Sequence, residues 1–296
     1  MLIDYSWYTH NILYRSLELK FTLKAEEPLR IGAGKAAPLA TLDLPVVSIK
    51  IKGENVPYIP GSSLKGVLRS TSELIVRTSG LKVCMAGSCG QDQIVEGGSR
   101  LSKAIEEALK TNNTSEAIDL VSRYYCFTCK IFGSGSYASH VQVSDSYPEG
   151  DVIRGAKMGI AINRRSGAVQ TGPYTVEFVE PDAQFTTTLR ANNLPNYAFG
   201  LILVALDYVN EGLIKIGGFK SRGFGRVSVK YQSLTGVVFQ QGIPTKLEEA
   251  GTLTALDKFD KEVRIQPQNL IGTLTEFKKR WWEYVQSTKS RESSSS

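Results

Sequence analysis

Four cysteines stand in two short pairs, Cys84 with Cys89 and Cys126 with Cys129. In each pair a short loop can turn two thiolates toward one ion, which is the donor set of a structural tetrahedral zinc site. The gap between the pairs exceeds ordinary ribbon spacings, so a helical excursion over residues 101–123 must be looped out. Disulfides closing the same segment, or free thiols, are the competing readings. Catalytic zinc is disfavoured by the donor count, because four thiolates leave no open coordination position.

Two other segments have the composition for phosphate chemistry. Tyr58-Ile59-Pro60-Gly61-Ser62-Ser63-Leu64-Lys65-Gly66-Val67-Leu68-Arg69 reads as a strand end, a tight turn and a helix start. Pro60 removes a backbone donor, Gly61 permits the turn, and Ser62 or Ser63 can cap the helix. The helix start offers unpaired N–H groups and a positive dipole end, and Lys65 and Arg69 share one face. A phosphate seat and an ordinary βα turn with a solvated basic face fit this segment equally.

Downstream, Ile216-Gly217-Gly218-Phe219-Lys220-Ser221-Arg222-Gly223-Phe224-Gly225-Arg226 precedes an alternating strand. Its glycines let the backbone approach a ligand closely, Lys220, Arg222 and Arg226 bring charge, and Phe219 and Phe224 offer stacking surfaces. A glycine-rich hairpin with both phenylalanines in the core explains the same residues. A dinucleotide fingerprint is excluded, because a strand rather than a helix follows.

Asp43, in Ala40-Thr41-Leu42-Asp43-Leu44-Pro45-Val46, reads on its own as a turn aspartate before a proline-started strand. Arg154, Lys157, Arg164 and Arg165 form a basic run interleaved with Met158, Ile160 and, further on, Val169. That pattern fits either a nucleic-acid contact or a strand with solvated arginines. His10 and His140, the two histidines, lie in no nucleophilic or acid–base constellation, so a histidine-dependent nuclease has few residues to draw on.

Taken in order, these segments resemble the RAMP superfamily, RNA-binding proteins of CRISPR systems that carry a carboxy-terminal glycine-rich loop. The likeness is strongest to the backbone subunit of type III effector complexes. It rests on the glycine pair at 31–34, Asp-x-Pro-Val within 41–47, Ile-Pro-Gly-Ser-Ser-Leu-Lys-Gly at 59–66 and the loop at 217–225, and covers residues from about 15 to 235. Lys35 to Pro38 depart from the pattern.

The resemblance implies a subunit that coats guide RNA (crRNA), packs against copies or paralogues of itself and other type III subunits, and cleaves complementary target RNA at regular intervals through Asp43. It places RNA contacts at Ser62, Ser63, Lys65, Arg69, Arg154, Lys157, Arg164, Arg165, Gly217, Gly218, Lys220, Ser221, Arg222, Gly223 and Arg226. A divalent metal such as Mg would assist cleavage by aligning the 2′-hydroxyl with its phosphate. A stand-alone endoribonuclease processing repeat RNA, or an architectural subunit without cleavage, remains the alternative.

The elements needed to position these residues are legible from hydropathy. Residues 17–24 and 46–51 alternate as strands, and a helix follows over 62–78. A polar insertion then precedes a helical stretch near 104–109. Strands are expected at 140–144, 157–163, 175–179, 184–190 and 223–232, with an apolar helix over 197–211. This order gives an α+β, ferredoxin-like (RRM-like) core. The expected organisation is a 1–235 domain, with a cysteine-containing insertion at 79–135 and a thumb-like hairpin at 150–175, then a helical extension at 236–290 and a disordered tail at 291–296.

In that extension Leu270, Leu274, Phe277, Trp281 and Tyr284 form an amphipathic stripe expected to pack on the parent domain. With 42% hydrophobic residues the chain can bury a sizeable core, and the +6 net charge is moderate enough that nucleic-acid binding requires clustered basic groups. No stretch approaches the roughly 18 apolar residues of a membrane span, and the start lacks a basic region ahead of an apolar one, so a soluble cytoplasmic protein without a membrane partner is expected.

Overall fold

Strand β1 (Arg15–Ala25) sets the frame by strict alternation. Leu17, Leu19, Phe21, Leu23 and Ala25 are fully buried, while Glu18, Lys20 and Lys24 face the other way. The structure, a computed structural model, describes residues 6–34, 42–85, 88–89, 93–96, 98–240 and 242–294. Lys35 to Pro38 and the first residues of the Asp43 motif therefore lie outside the described residues.

In chain order the remaining elements are β2 (Ser48–Ile51), β3 (Glu54–Pro57), α1 (Gly61–Thr78), α2 (Leu101–Lys110), α3 (Thr114–Tyr124), α4 (Phe127–Phe132), β4 (Val141–Val143), β5 (Tyr147–Pro148), β6 (Arg154–Ile162), β7 (Val169–Val179), β8 (Gln184–Asn192), α5 (Asn196–Asn210), β9 (Val227–Gln240), β10 (Ile243–Lys246), α6 (Leu247–Ala250), β11 (Thr252–Leu253), β12 (Val263–Arg264) and α7 (Leu270–Ser294).

The main sheet runs β10-β9-β1-β8-β4, with β5 also paired to β8, and every pairing is antiparallel. Leu19 stands between Leu189 of β8 and Leu234 of β9. The succession β1, α1, β4, β8, α5, β9 with spatial order β9-β1-β8-β4 is the ferredoxin-like βαββαβ arrangement expected from the sequence. Its apolar face is covered by α1, through Leu64, Leu68, Ile75 and Val76, and by α5, buried along nearly its whole length.

Helix α7 packs on α5. Gly200 makes this approach possible, since a Cβ there would stand 2.1 Å from the Phe277 carbonyl oxygen. Phe199 meets Phe277 edge-on at 4.9 Å, and Tyr197 stacks on Tyr284 at 4.2 Å. Leu274, Phe277 and Trp281 are fully buried, while Trp282, beside the stripe, is exposed. The backbone of α7 continues through Ser294; of the expected tail, 295 and 296 fall outside the described residues.

Both core helices start after a proline, and neither is capped by its own first side chains. Distant carboxylates do this instead. Asp145 accepts from the Gly61 amide at 2.7 Å, and Asp260 accepts from the Asn196 amide through both oxygens at 3.0 Å. The serine cap expected at Ser62 or Ser63 is thus replaced by Asp145. Gly61 is required for proximity, because a Cβ there would lie 2.2 Å from the Val143 carbonyl oxygen.

The insertion has its own small core. Leu101, Ile105 and Ala108 of α2 pack with Ala117 and Val121 of α3, Tyr125, Cys89 and Cys129. Asn113 caps α3 by accepting from the Glu116 amide at 3.3 Å.

Candidate nucleic-acid interface

Three segments distant in sequence are stitched together beside the sheet. Residues 29–32 pair with β7 through Leu29 and Val179, and with the Asp43 segment through Gly32 and Val46. Leu44 adds to the free edge of β7 as a short parallel bridge to Val176. The glycine-rich loop closes over the other side, with the Gly218 amide on the Arg30 carbonyl at 2.8 Å and the Gly225 amide on the Pro28 carbonyl at 3.0 Å.

Two of the loop's glycines are dictated by this contact. Gly217 has φ 85° and Gly225 φ 91°, and a Cβ on either would stand 2.2 Å from a carbonyl oxygen, of Arg30 and Ile216 respectively. Between them Phe219 adopts a left-handed conformation at φ 58°. The two phenylalanines divide their roles. Phe224 is buried edge-on against Phe178 at 5.7 Å, whereas Phe219 stays half-exposed.

Asp43 is exposed at the edge of β7, and its Oδ2 accepts from the Thr175 amide at 2.7 Å. The adjacent Tyr174 hydroxyl accepts from Arg222 Nη1 at 2.9 Å. Neighbouring residues of one strand thus hold the Asp43 segment and the glycine-rich loop. Lys157, across the hairpin, lies 6.0 Å above the Phe224 ring. Lys220, Ser221 and Gly223 are exposed, and Gly217 and Gly218 half-exposed, on the same loop. The Arg226 amide faces Glu27, whose carboxylate also pairs with Lys215 at 2.7 Å.

The β6–β7 hairpin bears Arg164 and Arg165 at its exposed turn, where the Asn163 side chain accepts from the Arg165 amide at 2.8 Å. Met158, Ile160, Ile162 and Val169 are exposed along it. At its base Arg154 bonds the Asn55 carbonyl and, at 3.3 Å, Glu177, whose other oxygen accepts from the Val46 amide at 2.8 Å. Arg154 therefore ties the β2–β3 hairpin to the Asp43 segment.

The start of α1 connects through backbone bonds from the Val47 amide to the Ile31 carbonyl at 2.8 Å and from the Tyr58 amide to the Val47 carbonyl at 3.4 Å. Ser62 is exposed and Ser63 half-exposed there. Burial, then the charge of Arg69, pull the Lys65 ammonium below the usual lysine range, so an anion placed beside it is favoured. Arg69 turns toward the insertion, donating to Glu73 at 3.0 Å, to the Gly133 carbonyl at 2.8 Å and to Cys129 Sγ at 3.1 Å.

The four cysteine sulfurs all lie within 4.8 Å of one another. Cys84 and Cys129 are 3.3 Å apart, and Cys84 and Cys126 3.5 Å, well beyond the roughly 2.05 Å of an S–S bond. Sulfurs about 2.3 Å from a tetrahedral metal are about 3.8 Å apart, so this donor set fits a four-thiolate structural ion. Hydrogen bonding from Cys129 holds Cys126 far down, to about 3, while burial pushes Cys89 up to about 12. One thiolate is thus accommodated readily and further negative charge is resisted, an imbalance that a divalent cation removes.

His140 is buried, with Nδ1 3.0 Å from the Asn192 carbonyl and Nε2 2.7 Å from the Tyr137 hydroxyl, and His10 stacks on it at 4.1 Å. Burial first, then His10, hold His140 down to about 3. Four contributors have no individual signal in the sequence: Arg30, Tyr174, Glu177 and Asp145. Arg30 alone adjoins a recognisable motif, the glycine pair that follows it.

No helix among the described residues is long and apolar enough to cross a membrane. A search of curated proteins found no match. The sequence profile of the RAMP superfamily matches residues 22–228, from within β1 to the start of β9, and so takes in β2 to β8, α1 to α5, the Asp43 segment, the hairpin and the glycine-rich loop. With most of its length inside that match, and with the sheet order and glycine-rich loop in place, the chain belongs to the RAMP superfamily, CRISPR-associated proteins that bind RNA.

Proposed function

We propose that this chain is a backbone subunit of a CRISPR type III effector complex, holding guide RNA by its phosphates and cutting complementary target RNA through Asp43. The observation that carries this reading is the convergence of Asp43 and Arg222 on adjacent residues of β7, Thr175 and Tyr174. A carboxylate and a cation are thereby anchored to one exposed strand, Asp43 at its free edge and Arg222 at a hydroxyl lying over Gly159 of β6, which suits an RNA chain crossing β7 with a phosphate held on one side and a carboxylate on the other. A divalent ion such as Mg²⁺ would supply charge neutralisation at that phosphate.

Lys65, Lys157, Lys220, Arg222 and Arg226, with Ser62, Ser63, Ser221 and the loop glycines, are the proposed phosphate contacts. Arg164 and Arg165 would reach RNA at the hairpin turn, where exposed Met158, Ile160 and Val169 suit insertion between bases. In this reading zinc occupies Cys84, Cys89, Cys126 and Cys129, and Arg69 stabilises the thiolate at Cys129 from outside the ligand set.

An architectural subunit without cleavage is the second reading, favoured by the structural hydrogen bond that already occupies one Asp43 oxygen. A repeat-processing ribonuclease is less well supported, because His140 is buried and held neutral. Purification from the native source tests the proposal. A multi-subunit particle containing guide RNA supports it, and a monomer that cuts repeat RNA rejects it.

A further inference from the structure

Arg30 stands at the point where the three stitched segments meet. It is 7% exposed, yet its side chain makes one hydrogen bond among the described residues, a long one of 3.4 Å from Nε to the Leu44 carbonyl beside Asp43. Its guanidinium lies 5.3 Å from the centroid of the Phe219 ring, over which Arg222 also lies at 5.2 Å. Stacking fixes a planar guanidinium without consuming its N–H groups. The Nη groups have no acceptor among the described residues and are not among the side-chain atoms buried without a partner, so they stay open to an incoming acceptor.

Glycines lie over those Nη groups. A Cβ on Gly32 would stand 2.7 Å from Nη1 and 2.9 Å from Nη2, and one on Gly218 3.2 Å from Nη1. Gly32 is exposed and Gly218 half-exposed, so the outer edge of the guanidinium is covered only where side chains are missing. Glu177 is the acid that acts electrostatically on Arg30, but its oxygens bond the Val46 amide and Arg154. An incoming anion therefore meets a fixed, forked donor approached across bare backbone.

We infer that Arg30 binds a phosphate of the RNA chain lying over the Asp43 segment, and that Gly32 and Gly218 are glycines so that the phosphate can reach it. This rests on the RNA-binding reading above, and it adds a recognition residue that neither basic run contains. Arg30 supplies bidentate hydrogen bonding to non-bridging oxygens. Phe219 and the Leu44 carbonyl hold its plane.

The test is the salt dependence of binding of single-stranded oligouridylate to the full chain, for wild type, Arg30→Met, Arg30→Lys and Gly32→Ala. Arg30→Met should weaken binding about 10-fold to 100-fold and make the slope of log affinity against log salt shallower by about 0.7. Arg30→Lys should restore the slope while leaving affinity reduced, because a lysine keeps the charge and loses the fork. Gly32→Ala keeps charge and fold and displaces only the tip of the side chain, so it should weaken binding even if Arg30→Met proves unstable. RNA binding by the wild type with unchanged affinity and slope in Arg30→Met or Gly32→Ala would overturn this assignment alone. Absence of RNA binding by the wild type would overturn the assignment and the reading beneath it.

Discussion

The Asp43 carboxylate accepts a hydrogen bond from the Thr175 amide at 2.7 Å, replacing the strand partner that this edge amide would otherwise lack. Leu44 pairs with the same strand immediately beyond it, so the side chain prolongs a short parallel bridge. Asp43→Ala should therefore lower the hydrogen-exchange protection of the Thr175 amide, whereas Asp43→Asn keeps an acceptor oxygen and should preserve it. Equal protection in all three proteins would remove this bond from the account.

The cysteine cluster should hold one zinc per chain, measurable by elemental analysis after purification without chelator. Cys126→Ser should abolish it and lower the melting temperature. Arg69→Met should weaken zinc affinity about 10-fold to 100-fold, as loss of an outer-shell partner does. Zinc-free wild-type protein would reject the site.

Binding to RNA should depend on Lys65 and Arg222 without regard to sequence. Alanine at either should weaken binding uniformly and make the salt slope shallower by about 0.7 to 1 for each phosphate left without its cation. A change confined to certain sequences would instead indicate base recognition.

Stability should respond to acid through His140. The folded protein holds this ring down to about 3, against 6.5 for the free side chain, so the unfolded chain takes up a proton that the folded one refuses. Its contribution is complete above about 6.5 and is lost as pH falls from there toward about 3, at up to about 1.4 kcal/mol per pH unit. Denaturant titrations across this window should show the fall, and His140→Gln should flatten it.

Phe277→Ala should destabilise the fold by about 3 to 5 kcal/mol, since the ring is fully buried where α7 meets α5. Global unfolding that shifts this far means α7 is integral to the domain. A local loss of helix without such a shift would make it an appendage.

Much of this architecture is legible because β1 alternates cleanly, α1 and α7 carry apolar residues at helical spacing, and α5 is apolar along nearly its whole length. The sequence pattern ends the last core strand at 232, whereas β9 runs on to Gln240. Gly236 looks like a breaker in the sequence, yet it sits within the pairing because a Cβ there would lie 2.5 Å from the Ser16 carbonyl oxygen. In the insertion the sequence pattern shows one helical stretch near 104–109, whereas the structure has two helices, α2 and α3, the second capped by Asn113. Asp145 at α1 and Asp260 at α5 are not readable, since each carboxylate comes from a distant part of the chain. The same limit hides Arg30 and Tyr174. Their significance comes from neighbours brought by topology, which no spacing within their own segments encodes.

The central claim is met most directly by cleavage of guide-complementary RNA in Mg²⁺ by the assembled particle carrying either wild-type or Asp43→Asn protein. The wild type should cut at regular intervals and the variant should lose about 100-fold or more, with guide and target still bound. Undiminished cutting by Asp43→Asn would contradict the claim.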